Sequence, residues 1–436
     1  MSLINKIVAS LLLSMISAMA FAITDAQVFA FAEANYPSIF TGTATAGVFP
    51  PYNYRYYPAS GNYLAVDTSG EIFILGPYTG NVISSVGLSA NYASTITAWE
   101  AGTAGAATST GLLGGTIQRA SLNLVGTVTT YAGSTGTNGF VDGTATAARF
   151  NQPRDITTDG TNLYVADKFN NSIRKVVIST GVVTTIAGNG LAGSADGTGT
   201  MAQFNSPKSI TTDGTNLYVA DSLNSTIRKV VIATGVVTTI AGGMGTPGST
   251  DGTGTAARFD GLNGITTDGT NLYVADANSN TIRKVVIATG VVTTIAGSTG
   301  TTGSTDGTGT AALFNSPIGI TTDGTSLYVG DLGNHTIRKI AIATGVVTTI
   351  AGSPGVFGSA DGIGSAALFD SPGEITTDGT NLYVANEGNA TIRKVVISTG
   401  VVTTISGFGD VRGMTTDGTS LFAVDMINTH TIRKIQ

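Results

Sequence analysis

The sequence predicts an all-β protein built mainly from a six-bladed β-propeller, and three observations carry that reading. The stretch "ITTDGTNLYVAD" at Ile156 returns nearly unchanged at Ile210, Ile265, Ile320, Ile375 and Met414, which places its TDG aspartates at 159, 213, 268, 323, 378 and 417. A spacing of 54 to 55 residues, shortening to 39 at the last step, is that of stacked supersecondary units. Each unit holds four short apolar runs of the type "ITTD", "NLYVAD", "TIRKVVI" and "VVTTIAG", separated by turn signals such as "DGTN" and "ATGV". Asp and Asn bond to nearby backbone in such turns, and Gly adopts positive φ. Composition agrees, because 59 glycines with only 11% charged residues favour short strands and tight turns over helices. Four antiparallel strands repeated six times close radially, which leaves few strand edges open.

The motif count indicates how the ring closes. "IRK" occurs six times, around Arg174, Arg228, Arg283, Arg338, Arg393 and Arg433, and the sixth copy has no "VVTTIAG" after it. One unpaired copy, "GTVTTYAG", lies at 126–133, ahead of the first "ITTD". It is expected to become the outer strand of the last blade and to clasp the domain's ends together, removing the edge a linear array would expose. The stretch "TIQRASLNLV" (116–125) looks like a decayed third strand, which either competes with "TIRKIQ" or lies outside the blade. Five long loops carry Asp142, Asp196, Asp251, Asp306 and Asp361. In these loops Asp and Thr are expected to cap a short helical turn ending in "AARF" or "AALF", with the Phe packed over the blade. The sixth loop, "SGFGDVRG", is short and leaves a notch.

Residues 1–22 read as a secretory leader: Lys6, an apolar run from Ile7 to Met19, then the small-x-small triplet Ala20-Phe21-Ala22. No other stretch is apolar for long enough to span a bilayer, so no membrane segment is expected after cleavage, and the setting is secreted or periplasmic. Residues 23–100 form a small α+β module with a helix capped by Thr24 or Asp25 and ended by Pro37, followed by strands in "YNYRYYPASGNYLAVDTSGEIFILGP" and "GNVISSVG". Eight of the fourteen tyrosines lie between Tyr36 and Tyr92, where so small a module needs bulky aromatics for its core. Residues 101–125 are an Ala/Gly/Thr-rich linker, and the propeller occupies 126–436.

The repeat as written here, "VVTTIAG", "DGTGTAARFN", "ITTDG", "NLYVAD" and "TIRKV", resembles the NHL repeat over residues 126–436. That resemblance implies a six-bladed propeller of bacterial secreted type. NHL propellers include protein-binding, RNA-binding and sensor modules and a few enzymes, so the resemblance leaves the activity open.

Charge and residue usage narrow the function. Net charge is −6, and twelve of the 21 Lys and Arg residues belong to the six IRK copies spread around the ring, which argues against a nucleic-acid partner. Cysteine is absent, which removes disulfides, thiolate metal sites and a cysteine nucleophile. The amidating lyases among NHL-like proteins use histidine-bound zinc, whereas this chain has only His335 and His430, both read as loop residues. No G-x-S-x-G elbow is present.

Residues repeated in every blade, such as Asp159 and Asp167 with their counterparts, are expected to build turns, because a site breaks symmetry. The column two residues before each "ITTD" or "MTTD" does vary: Arg154, Lys208, Asn263, Ile318, Gly373 and Arg412. Its members should ring the mouth of the central channel, with Arg412, Arg154 and Lys208 in one cationic arc across the closure. The expected function is binding of a protein, peptide or acidic glycan through Arg154, Lys208, Asn263 and Arg412, by a monomeric propeller without a cofactor. The alternative is a metal-dependent, lactonase-like hydrolase holding calcium in the channel through Asp155, Asn263 and Glu374.

Overall fold

The computed structural model describes residues 122, 124, 127–405, 409–426 and 429–435, together with backbone strands between 45 and 86. Contacts divide the chain into two compact units, Met1–Gln118 and Arg119–Gln436. The first contains a five-stranded antiparallel meander of Thr45–Phe49, Tyr52–Tyr57, Asn62–Val66, Ile72–Leu75 and Val82–Val86. Four of these fall in the stretches expected as strands, and Thr45–Phe49 adds a fifth. The expected leader, the helix before Pro37 and the Ala/Gly/Thr-rich stretch 101–115 lie outside the described residues.

The second unit is a six-bladed propeller. Blade one runs outward from Pro153–Thr158 through Asn162–Asp167 and Ser172–Val177 to Val182–Ala187, and blades two to five repeat this order. "NLYVAD" is buried from its Leu to its Asp in every copy because neighbouring blades cover both faces of the second strand. The outer "VVTTIA" alternates between buried and exposed positions, since only one face is packed. In each of these five blades the long loop adds a two-residue edge strand, Gly143–Thr144 in blade one, outside the fourth strand.

Blade six closes the ring as expected. Val128–Ala132 pairs with Thr431–Ile435, Ala132 opposite Ile432 and Val128 opposite Ile435. Its inner strand Val411–Thr416 packs between the inner strands of blades five and one. Tyr131, standing where other copies have Ile186 or Ile240, adds a latch: its hydroxyl donates to the carbonyls of Val177 and Ile178 at the turn of blade one. Residues 116–125 contribute no strand among the described residues. Leu122 is buried instead against Val411, Met414 and Ile435, with Leu124 beside it.

Wedges of loop Phe seal the other blade interfaces. Phe204 packs with Tyr164, Ile173 and Leu217, bridging blades one and two, and Phe150, Phe259, Phe314 and Phe369 are equally buried. The short sixth loop brings no such Phe among the described residues, and Leu122 occupies that interface.

The loop aspartates correct one expectation. The turn after Asp142 is a 3-10 turn, Ala145–Ala147, whose N-terminus receives no side-chain cap. Asp142 instead accepts from the Arg174 guanidinium at 2.7 Å and from the Thr185 backbone N–H at 3.0 Å. A buried guanidinium needs a carboxylate more than an exposed 3-10 turn needs a cap.

Candidate functional site

The repeated polar residues are structural, and their roles differ from one another. Asp159 builds its turn, accepting from the Asn162 N–H and the Tyr164 hydroxyl, both within 2.8 Å. Asp167 was expected in a turn as well, but it is fully buried and pairs with Arg174 at 2.8 Å. Arg174 thereby sits between Asp167 and Asp142, its guanidinium 5.1 Å above the Phe150 ring. Arg228, Arg283 and Arg338 repeat this double pairing. Blade five keeps Arg393 on Asp361 but has Asn386 in place of the inner Asp.

His335 and His430 are loop residues in left-handed conformation, at φ 59° and 54°. Each Nδ1 accepts a backbone N–H from the next blade, from Ser371 and Gln152 respectively, at 3.1 Å. Asn171 and Asn280 do the same with Ser206 and Ser316 through side-chain oxygens. Histidine here is an asparagine substitute in an inter-blade bridge.

The variable column gives two distinct arrangements. At the rim, Arg154 donates to the carbonyl of Arg412 at 3.4 Å across the closure and lies 3.7 Å from Glu387. Arg412 pairs with Glu387 and, at 2.8 Å, with Asp410. Lys208 forms no ion pair among the described residues. Burial, then the charges of Arg154 and Lys168, pull its ammonium down to about 8. Lys168 is lowered too, by burial first and then by Arg154 and Arg412. Burial and Arg154 bring Arg412 to about 10. Lys168, Lys208 and Arg412 are thus each held down by burial and by the Arg154 charge, as expected of cations gathered on one partly desolvated rim. Glu387 reaches the group because position 373 is Gly: a Cβ there would collide with the Glu387 carboxylate. Asn263 turns its amide to the Gly261 carbonyl at 3.2 Å.

Lys168 stands outside the column of Arg154, Lys208 and Arg412, in a second variable column of the repeat. The residue after each "VAD", "VGD" or "VAN" varies as well (Lys168, Ser222, Ala277, Leu332, Glu387), and the strand register sets it beside the first column: Asp167 faces Pro153. Read together, the two columns place Lys168 beside Arg154 and Glu387 beside Arg412.

One residue farther along the inner strands, Asp155, Ser209 and Glu374 meet. Ser209 Oγ lies 2.6 Å from Asp155 and 3.4 Å from Glu374, and Asp155 also accepts the Ile156 and Ile210 N–H groups. The facing blades carry Gly264, Gly319 and Gly413 at this level, and a Cβ on Gly413 would stand 2.5 Å from the Asp155 Cα. Burial raises Asp155 to about 6 against those hydrogen bonds, and burial with the Asp155 charge raises Glu374 well above its usual range. Asp155 and Glu374 thus come together, while Asn263 makes no hydrogen bond to either. A carboxyl that holds its proton more tightly folded than unfolded stabilises the fold below about pH 4. That contribution is lost as pH rises through about 6. Glu374→Gln keeps a neutral isostere in place, and thermal melts should show it losing less stability than the parent as pH rises from about 4 through about 6. An unchanged pH slope would mean that the pair does not titrate in the fold.

Comparisons with known proteins agree with the ring. No family model matches the chain. The chain is 31% identical over 288 residues to Protein SUPPRESSOR OF QUENCHING 1, chloroplastic, of Arabidopsis thaliana, covering 62% of this chain and 27% of that protein. It is 36% identical over 144 residues to NHL repeat-containing protein 2 of Homo sapiens, covering 31% of this chain and 20% of that protein. The chain spans about a quarter of the length of these relatives. Among solved structures, an auxiliary nutrient binding protein from Bacteroides thetaiotaomicron superposes with a TM-score of 0.53 at 14% identity, over 91% of this chain and 98% of its own. A structural genomics protein of unknown function from the same organism gives 0.54 at 20% identity, over 71% and 75%. At such identities the likeness is one of fold. With the repeat, the six-bladed ring and these relatives in agreement, residues 126–436 belong to the NHL-repeat propeller family.

Proposed function

We propose that this propeller is a binding module, and that its ligand presents a carboxylate, sulfate or phosphate to the rim formed by Arg154, Lys168, Lys208 and Arg412. The observation that carries this reading is the convergence of four cations on a protein of net charge −6, with Lys168 and Lys208 unpaired among the described residues. Gathering like charges with partial desolvation lowers stability, and an anionic ligand would offset that cost. Apolar side chains stand next to this rim on blades one and two: Phe169 and Leu223, the second residues past the ends of the second strands, are at least half exposed. An anionic group beside an apolar contact suits a protein, peptide or acidic glycan. The leader-like residues 1–22 support meeting it outside the cytoplasm, in the periplasm or beyond.

The test uses polyglutamate and a sulfated glycan as probes against the parent and against Lys168→Ala/Lys208→Ala. Neither lysine forms an ion pair among the described residues, so the double variant should melt within a few degrees of the parent. Its binding should weaken at least tenfold, the effect of about 1.4 kcal/mol. Undiminished binding, or a parent that binds neither probe, would overturn the reading.

A further inference from the structure

Blade six is an unfinished copy of a lock that blades one to five complete for themselves. In those five, a loop carboxylate accepts from the Arg of "IRK" and from the backbone N–H and hydroxyl of a Thr on the outer strand: Asp142 does so with Arg174 and Thr185, and Asp361 with Arg393 and Thr404. Directly after that Asp, two residues pair with the outer strand as a short fifth strand, Gly143–Thr144 opposite Val183 and Val182. A Phe eight positions after the Asp then lies over the guanidinium.

In blade six the corresponding groups are Arg433 and Thr130, and the sheet stops at four strands. Among the described residues Arg433 reaches only Asp425, at 3.7 Å, and its side chain is 24% exposed where Arg174 to Arg393 are wholly covered. No aromatic ring lies over its guanidinium among the described residues. Thr130 is exposed, and Thr127 and Val128 form the outer edge. The donors are in place, and nothing among the described residues supplies the carboxylate, strand edge and ring that satisfy them five times elsewhere.

We propose that blade six is a docking site for an extended acidic segment of another polypeptide. Its Asp or Glu would seat between Arg433 and the N–H of Thr130, and the residues after it would add a strand to the Thr127–Val128 edge. Charge complementarity selects the acid, and the open edge selects an extended peptide over a free anion, because it offers backbone pairing that only a chain can return. This site lies on the outer strand and goes beyond the rim reading, on which it does not depend.

The chain contains its own probe. A synthetic peptide of residues 248–259, "GSTDGTGTAARF", reproduces one complete loop. Titrated into the full protein by NMR or fluorescence polarisation, it should bind saturably. Asn in place of its Asp should weaken binding at least tenfold, and so should Arg433→Gln in the protein. Lys168→Ala/Lys208→Ala should leave peptide binding unchanged, which separates this site from the rim. Should Arg433→Gln not fold, the Asp-to-Asn peptide on the parent protein decides alone. Absence of saturable binding, equal affinity of the two peptides, or competition by acetate as effective as by the peptide would each overturn the proposal.

Discussion

Deleting residues 126–133 is expected to abolish cooperative melting of the propeller and to drive the protein into aggregates. The excision removes Val128–Ala132, the outer strand of blade six, so that Thr431–Ile435 becomes an open edge. It also removes Tyr131, whose hydroxyl ties blade six to the turn of blade one, and Val128 and Ala132 from the apolar clusters on either side of that blade. An exposed, unpaired strand is a template for pairing with another chain. Loss of one blade's outer strand propagates in a ring, since each blade is buried only against its neighbours. A control deletion of residues 23–110 leaves the second compact unit whole and should keep its transition. Calorimetry and light scattering distinguish the two, and a 126–133 deletion that melts like the parent would mean that closure does not depend on this strand.

Asp276→Ala should cost roughly 3–5 kcal/mol, the range for removing one partner of a buried ion pair. Asp276 lies 3.0 Å from Arg283, and both side chains are wholly buried. Its other oxygen accepts the Asp260 N–H at 2.7 Å, so alanine orphans a guanidinium hydrogen and a backbone donor together. Asp251 remains on the same guanidinium and holds the loss toward the lower end. Asp276→Asn should cost much less, because blade five already works this way: Asn386 accepts the Asp370 N–H at 2.8 Å, and Arg393 relies on Asp361 and carbonyls. Urea unfolding of both variants checks the contrast, and equal losses would show that the negative charge, not the hydrogen bonding, is what blade three requires.

Lys168 and the loop aspartates show where sequence reading stops. Asp142 lies 32 residues before Arg174, and nothing local states that a loop must return to the third strand of its own blade. Its neighbourhood of Gly and Thr read as a helix cap, which is the local use of Asp, and the buried guanidinium overrode it. Lys168 was visible as a variable position, but its place beside Arg154 depends on the register between first and second strands.

By itself the sequence determined the number of blades, the order of strands within each, and the completion of the last blade by residues 126–133. These follow from periodicity and from turn chemistry, which act within a few residues and repeat in every unit. Only the tertiary structure decided which unlike residues meet: Asp155 with Ser209 and Glu374 in the channel, four cations on the rim, Arg433 without, among the described residues, the loop carboxylate its five counterparts hold. Those meetings are set by ring closure, which brings blades one and six together and turns the inner strands toward a common axis. No local signal encodes the channel and closure contacts, because their partners lie 54 positions apart for Ser209 and Asp155, 165 for Ser209 and Glu374, and 258 for Arg154 and Arg412.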